Sequence, residues 1–327
     1  MSTAPVLSSA EIVCEGASRE EWLEYRKLGI GGSDIASILG LSSFKSPLAL
    51  YLEKSGELED DFKESEAMKW GTVLEQPIRE EFSVLTGIKT MVPPPITMYR
   101  SKELSIALAS PDGLGYSLPL VSHDGRAEVD DSLIDSWYEG KAVGYHRKDD
   151  WLDDEGNAKA PVMYEAQCMW ELAVSGLPVV HLACLLGGQQ FIHLEIERDE
   201  DLIADMLKAA ETFWKRIEDH NPPPADGSSS TTAALKRKFT TSTEGAAIDL
   251  GPSLTNLVFE LKQAKEQVKA AKLEEEEAEN KIKILLGDNE VGKNGDLELI
   301  TWKTSERKGY EVKPTITRTL RIGKDAK

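Results

Sequence analysis

The spacing of apolar and polar positions changes period several times along this chain. Ser18 followed by Glu21 predicts a helix start, because a serine with a glutamate three residues on forms a capping box; the run continues to about residue 27. Ser33 or Asp34 can cap a second short helix, and Ser46 a third, with Pro47 at its first position, where the missing N–H costs nothing. Residues 64–85 carry a longer helical pattern, troubled by Gly71 and Pro77. Apolar runs predict strands at 106–109, 137–142, 179–186 and 191–196, with helical spacing at 160–174 and 199–218. Strands interleaved with helices predict an α/β core.

The pattern breaks at 221–232, NPPPADGSSSTT, where three prolines and a Gly/Ser/Thr run can neither continue a helix nor build a core. The chain therefore divides into a domain over 1–220, a linker over 221–235 and an extension over 236–327. In the extension Leu254, Leu257, Leu261, Ala264, Val268, Ala271, Ala278, Ile282 and Leu285 recur at spacings of three and four, with only Glu275 breaking the register. This predicts a helix over about 252–286, roughly 50 Å long, which either folds back on the domain or projects as a pairing arm. Residues 297–303 and 315–322 predict a short strand pair.

Composition then narrows the function. The 327 residues carry 38 Lys+Arg and 57 Asp+Glu, a net charge of −19, which on its face argues against nucleic acid. The acid is uneven: residues 1–225 hold 20 basic and 40 acidic side chains, and residues 301–327 hold 8 basic and 3 acidic. No window is apolar enough for a membrane span and the first residues lack a secretory pattern, so a cytoplasmic protein is expected. Cys14, Cys168 and Cys184 have no paired spacing, which points to free thiols in a reducing compartment. The five histidines lack ligand spacing in sequence, and GDNEVGKN at 287–294 misses the Ser/Thr of a phosphate loop and reads as a turn.

One set of residues carries a specific chemistry. Asp112, in SPDG, ends an apolar strand pattern. Glu139 and Lys141, in WYEGKA, lie two apart on a second strand and so share a face, with apolar or aromatic flanks. Two buried charges need a purpose. Carboxylate oxygens with a backbone carbonyl are hard ligands suited to Mg²⁺ or Mn²⁺, and a neighbouring lysine can orient or deprotonate a water. That set suffices for metal-dependent phosphodiester hydrolysis.

SPDG and EGK resemble the PD-(D/E)xK nuclease core, specifically that of the YqaJ and lambda exonuclease family. Arg26 with GIGGSD (29–34), WGTVLE (70–75) and YEAQCM (164–169) resemble further motifs of that family in the same order, over roughly residues 20–220. The resemblance implies a restriction-endonuclease-like core, a central mixed sheet flanked by helices, with a C-terminal helical extension and short strand pair. It implies that Asp112, Glu139 and the Gly140 carbonyl bind one Mg²⁺, with Mn²⁺ as an alternative, and that Asp112 with Glu75 supports a second ion. It gives Lys141 the nucleophilic water and Gln167 the ordering of that water or of the phosphate. It places Arg26, Ser33, Ser110 and Arg147 in a pocket for the 5′-phosphate, and guanidiniums and hydroxyls are good donors to that group. Each also has an ordinary structural use: Arg26 pairing with Glu21 or Glu24, Glu75 as a solvated helix residue, Gln167 as a buried amide, Ser33 as a cap, Arg147 in a surface ion pair. The 27 positions from Asp112 to Glu139 include a polar, acidic stretch read as an extended hairpin or loop.

The function so implied is a Mg²⁺-dependent 5′→3′ exonuclease on double-stranded DNA ends. It would leave 3′ single strands for an annealing recombinase, work as a homotrimeric ring, and come from a phage or mobile element in a bacterial cytoplasm. Two other classes stay open: a structure-specific or restriction-like endonuclease on the same core, and a non-catalytic scaffold for DNA ends or a recombinase.

Overall fold

The computed structural model describes residues 4–58, 65–94, 96–116 and 133–306, which fall into two units, up to Lys238 and from Phe239. In chain order the first unit contains β1 (Ala10–Cys14), α1 (Arg19–Lys27), α2 (Gly32–Ile38), α3 (Pro47–Lys54), α4 (Glu66–Thr86), β2 (Lys89–Met91), β3 (Met98–Ser101), β4 (Leu108–Ala109), β5 (Gly113–Tyr116), β6 (Ser136–Val143), α5 (Lys148–Trp151), α6 (Val162–Ser175), β7 (Val179–Leu186), β8 (Gln190–Glu197), α7 (Glu200–Glu218) and α8 (Ser229–Lys238). The second contains α9 (Gly251–Leu286), β9 (Val291–Asn294) and β10 (Leu297–Thr301).

The central sheet has the order β2-β5-β6-β7-β8; β6 and β7 run parallel and every other neighbour antiparallel. A parallel pair needs a crossover, which α5 and α6 supply between β6 and β7. β1, β3 and β4 form a smaller antiparallel sheet. This is the α/β core that the alternating pattern predicts, with the mixed sheet and flanking helices that the family resemblance implies.

Side chains alternate across the sheet and so sort the core into two layers. Trp137, Val180, Leu182, Cys184 and Ile192 join Trp170 and Leu172 of α6 in the main core. Tyr138 and Ala183 point the other way, onto Ile78 and Phe82 of α4. Along β6 this alternation puts Glu139 and Lys141 on the α6 side. The α6 side is also stitched by one indole: Trp170 donates from Nε1 to the carbonyls of Ile30 (3.2 Å) and Leu108 (3.1 Å). That single donor locks the turn before α2 to the strand leading towards Asp112.

Local signals placed most elements well. Ser18 and Glu21 form the capping box on α1, Ser46 caps α3 ahead of Pro47, and α4 runs unbroken through Gly71 and Pro77. The start of α2 differs from expectation. Gly31, not Ser33 or Asp34, is its N-cap, and Asp34 reaches back from the first turn to accept the Gly31 N–H at 3.0 Å. This frees Ser33 for other partners.

The segment expected as a linker over 221–235 contains the start of α8. Thr231 and Ala234 are buried, Thr231 Oγ1 lies 2.8 Å from Ser46 Oγ, and Ser46 N–H donates to Ser230 Oγ at 3.0 Å. Lys238 closes the helix on Glu57. Polar side chains thus dock this helix on the cap of α3, which composition alone does not reveal. A chain ending at Lys238 is therefore expected to keep the stability of the first unit. One ending at Ala225 should lose about 1–3 kcal/mol, since the hydrogen bonds to Ser46 and the packing of Ala234 and Leu235 on the core go with the helix; urea titration of the two truncations checks this.

In the second unit α9 spans the predicted heptads, and its seam residues Leu254, Leu257, Val268 and Leu285 are exposed. β10 pairs antiparallel with β9, which lies within GDNEVGKN, a segment expected as a turn. Gly295, at φ +61°, opens the two-residue turn that makes this local pairing available. Residues 315–322, like the acidic stretch over 117–132, lie outside the described residues.

Candidate active site

The carboxylates converge because two strand ends meet. Asp112 stands at the start of β5, whose Gly113 pairs with Tyr138 of β6. Its Oδ2 accepts the Gly140 N–H at 3.0 Å, which ties it beside Glu139. Glu139 is buried, with its Oε1 taken by the Lys141 ammonium and by Gln167 Nε2 at 2.6 Å. One oxygen of each carboxylate is thereby pinned by a donor, which leaves Asp112 Oδ1 and Glu139 Oε2 for a ligand. Two such hard oxygens fit a divalent ion of the Mg²⁺ class.

Electrostatics separates the roles. Burial, then the Asp112 carboxylate, pushes Glu139 up to about 7, so a cation is what would keep it ionised. Burial opposes the charge of Lys141, but Glu139 and Asp112 outweigh it and raise its pKa. An ammonium held in this way is suited to positioning a water. Its Nζ lies 5.1 Å from the centroid of the Tyr164 ring, which braces it from α6. Glu75, half-buried on α4, is raised by burial and by Asp112; it pairs with Arg79 at 3.6 Å, and Arg79 reaches the Asp112 carbonyl at 3.5 Å.

Glu171 is a site residue that motif reading missed. It is buried one helical turn after Gln167, whose Nε2 donates to its Oε1 at 2.9 Å. Its Oε2 has no hydrogen-bond partner among the described residues, and burial with the nearby Glu139 raises its pKa well above the carboxylate range. The i, i+4 spacing from Gln167 was the available signal. Gly32 packs against it: a Cβ there would lie 3.1 Å from Glu171 Oε1 and 3.2 Å from Gln167 Cγ.

Asp112, Glu139, Gln167, Glu171 and Gly32 line a cavity of about 270 Å³ whose wall also carries Trp22, Arg26, Ser33 and Ser110. Arg26 Nη2 donates to Ser33 Oγ at 3.3 Å and to Asp34 Oδ1 at 3.0 Å, with its guanidinium 5.1 Å from the Trp22 ring. Trp22 Nε1 donates to Ser110 Oγ at 3.4 Å. Beneath them Lys54 Nζ sits 2.8 Å from Asp34 Oδ2 and donates to the carbonyls of Arg26 (2.6 Å) and Gly29 (2.7 Å). Arg26 and Lys54 against Asp34 leave one positive charge at this end, as an anion site needs.

The YqaJ-like viral recombinase domain matches residues 21–178. The uncharacterized protein YqaJ of Bacillus subtilis (strain 168) is 32% identical over 299 residues, 90% of this chain and 86% of that protein. The chain belongs to the YqaJ family. Among solved structures, the alkaline exonuclease LHK-Exo from Laribacter hongkongensis has a TM-score of 0.47 at 20% identity, covering 68% of this chain and 98% of that one. Its complex with dAMP gives 0.48. A phage related exonuclease from Haemophilus somnus 129PT has a TM-score of 0.38 at 14% identity, covering 59% of this chain and 96% of that one.

All ten residues singled out from the sequence fall inside the YqaJ-like segment, but the structure groups them unevenly. Asp112, Glu139, Gly140, Lys141 and Gln167 form one cluster with Glu75 at its edge, and Arg26, Ser33 and Ser110 form a second on the same cavity. Arg147 is not on the cavity wall: it pairs with Asp150 and lies 5.6 Å from the Phe44 ring. In this YqaJ-family chain the added members are Trp22, four residues before Arg26 on α1, and Glu171. No helix among the described residues is long and apolar enough to cross a membrane.

Proposed function

We propose that this YqaJ-family protein is a Mg²⁺-dependent exonuclease that digests one strand of duplex DNA from its 5′ end. The observation that carries this reading is one cavity with two chemistries: carboxylates at one end, with the Lys141 ammonium held on Glu139 beside them, and a guanidinium and two hydroxyls at the other. The first end suits hydrolysis of a phosphodiester, the second suits a terminal phosphate, and their shared cavity sets the cut a short distance from a strand end.

Asp112, Glu139 and the Gly140 carbonyl would hold one ion, and Asp112 with Glu75 a second. Bound there, Mg²⁺ supplies positive charge against the phosphate and the departing 3′ oxygen. The chain's own groups do the rest. Lys141 and Gln167 hold the water in line, its oxygen adds to phosphorus as a proton passes to solvent, and the P–O3′ bond breaks with the 3′ oxygen taking up a proton from solvent. The family's description as a viral recombinase domain supports a further reading: the 3′ strands left behind feed an annealing recombinase of a phage or mobile element. A homotrimeric ring in the host cytoplasm would suit processive digestion.

End-labelled duplexes differing only in the 5′-phosphate test this, with Mg²⁺ present. Phosphorylated ends should be digested faster. Arg26→Ala should slow them by about tenfold, the scale of one charge-assisted hydrogen bond, and slow hydroxyl ends less. Equal slowing on both ends would remove the phosphate pocket, and cutting of closed circles would favour the endonuclease reading.

A further inference from the structure

The sheet face opposite the carboxylates holds a second cluster of ligating side chains. β7 and β8 pair antiparallel with His181 opposite Glu195 and Ala183 opposite His193, which sets His181, His193 and Glu195 together on the α4 face. Their ligand atoms all lie within 4.8 Å of one another. His181 Nδ1 is 3.2 Å from His193 Nε2 and 3.7 Å from Glu195 Oε1.

These separations are close to those around a single ion. Ligands held at about 2.0–2.1 Å in tetrahedral geometry stand roughly 3.3–3.4 Å apart. A hydrogen bond between the two imidazoles accounts for the first distance and strand register for the nearness of Glu195, whereas one shared ion accounts for all three groups facing a common point. Phe82 packs on both rings, with centroids 5.3 and 5.1 Å away, and fixes their planes. Burial, joined at His181 by the neighbouring His193, lowers the pKa of both imidazoles and favours the neutral form that ligates. His181 is buried, whereas the Glu195 side chain is 59% exposed, so the cluster opens to solvent on one side and leaves room for a water ligand. Two imidazoles and one carboxylate suit a borderline ion such as Zn²⁺, not Mg²⁺.

We propose that His181, His193 and Glu195 form a transition-metal site of the zinc class that clips the edge strand β8 to β7, separate from the nuclease carboxylates. The five histidines show no ligand spacing in sequence because strand pairing, not chain proximity, assembles this set.

The full chain, stripped with chelator and reloaded with Zn²⁺ in excess Mg²⁺, tests it by metal content after gel filtration and by thermal midpoint. Wild type and Glu139→Gln should each keep one zinc per chain and gain thermal stability on loading. His193→Ala should lose both, and Glu195→Gln should bind at least about tenfold more weakly. Should His193→Ala fail to fold, Glu195→Gln, at an exposed position, carries the test alone. Absence of zinc from the wild type, or equal content and equal stabilisation in wild type and the ligand variants, would overturn the site.

Discussion

Glu139→Gln and Lys141→Ala are each expected to lower Mg²⁺-dependent DNA hydrolysis by on the order of 10³-fold or more while leaving DNA binding within a few-fold of wild type. Glu139 is asked to do two things at once. Its Oε1 anchors the Lys141 ammonium and Gln167, and its other oxygen is left for a cation. Glutamine at 139 keeps the shape and removes the charge. Lys141→Ala removes the only ammonium that Glu139 touches among the described residues and leaves the water without its positioner. Neither change reaches Arg26, Ser33 or Ser110, so the proposed hold on a strand end survives. Folding should survive too. Three carboxylates, Glu139, Glu171 and Asp112, crowd this end, and burial already raises the first and third members of the Glu139–Gln167–Glu171 chain towards their neutral forms. Gel-shift titration with Ca²⁺, alongside digestion with Mg²⁺, separates the two effects. Digestion by either variant at the wild-type rate would remove this active site.

Much of the site was legible because its residues are coded locally. Glu139 and Lys141 share a strand face by their spacing alone, and β6 places them as the alternation requires. Gln167 and Glu171 share a helix face by the same kind of argument, though only Gln167 belongs to a recognisable motif. Arg147 shows the opposite limit. The family resemblance implies a phosphate role for it, and the turn at Tyr145–Arg147 sets it against Asp150 and Phe44. What no local pattern carries is long-range docking. The burial of α8 rests on hydroxyls 184 and 185 positions from Ser46, and serine and threonine in a Gly/Ser/Thr run read equally well as a solvated linker. The net charge of −19 hides local arrangement in the same way. It sums acidic side chains spread over residues 1–225 with a few cations that structure puts to local use, Arg26 on the cavity wall, Lys54 beneath it and Lys141 on Glu139.

The largest stability loss is expected not at the carboxylates but under the phosphate end, from Asp34→Ala. Asp34 is buried between Arg26 and Lys54 and also accepts the Gly31 N–H at the start of α2. Burial alone would raise its pKa, yet Lys54 and Arg26 outweigh burial and hold the carboxyl well below the usual carboxylate range. Removing it leaves Lys54, whose side chain is 7% exposed, as a buried ammonium without a counter-ion, held only by the Arg26 and Gly29 carbonyls. Breaking a buried pair in this way costs about 3–5 kcal/mol, against the 1–3 kcal/mol of an ordinary lost hydrogen bond. The sign with pH follows from the depressed value. The contribution of Asp34 is fully present above the ordinary carboxylate range and fades as pH falls through the lower folded value, so the difference between wild type and Asp34→Ala should shrink in acid. The double change Asp34→Ala with Lys54→Met removes the stranded charge and should recover a good part of the loss. Chemical denaturation of the three proteins at neutral and acid pH decides the matter. Equal stability of wild type and Asp34→Ala at neutral pH would mean that this ion pair does not hold Arg26 in place. The site would then owe its shape instead to the backbone ties between Ile30 and Leu108, where the Ile30 carbonyl accepts the Leu108 N–H at 2.9 Å.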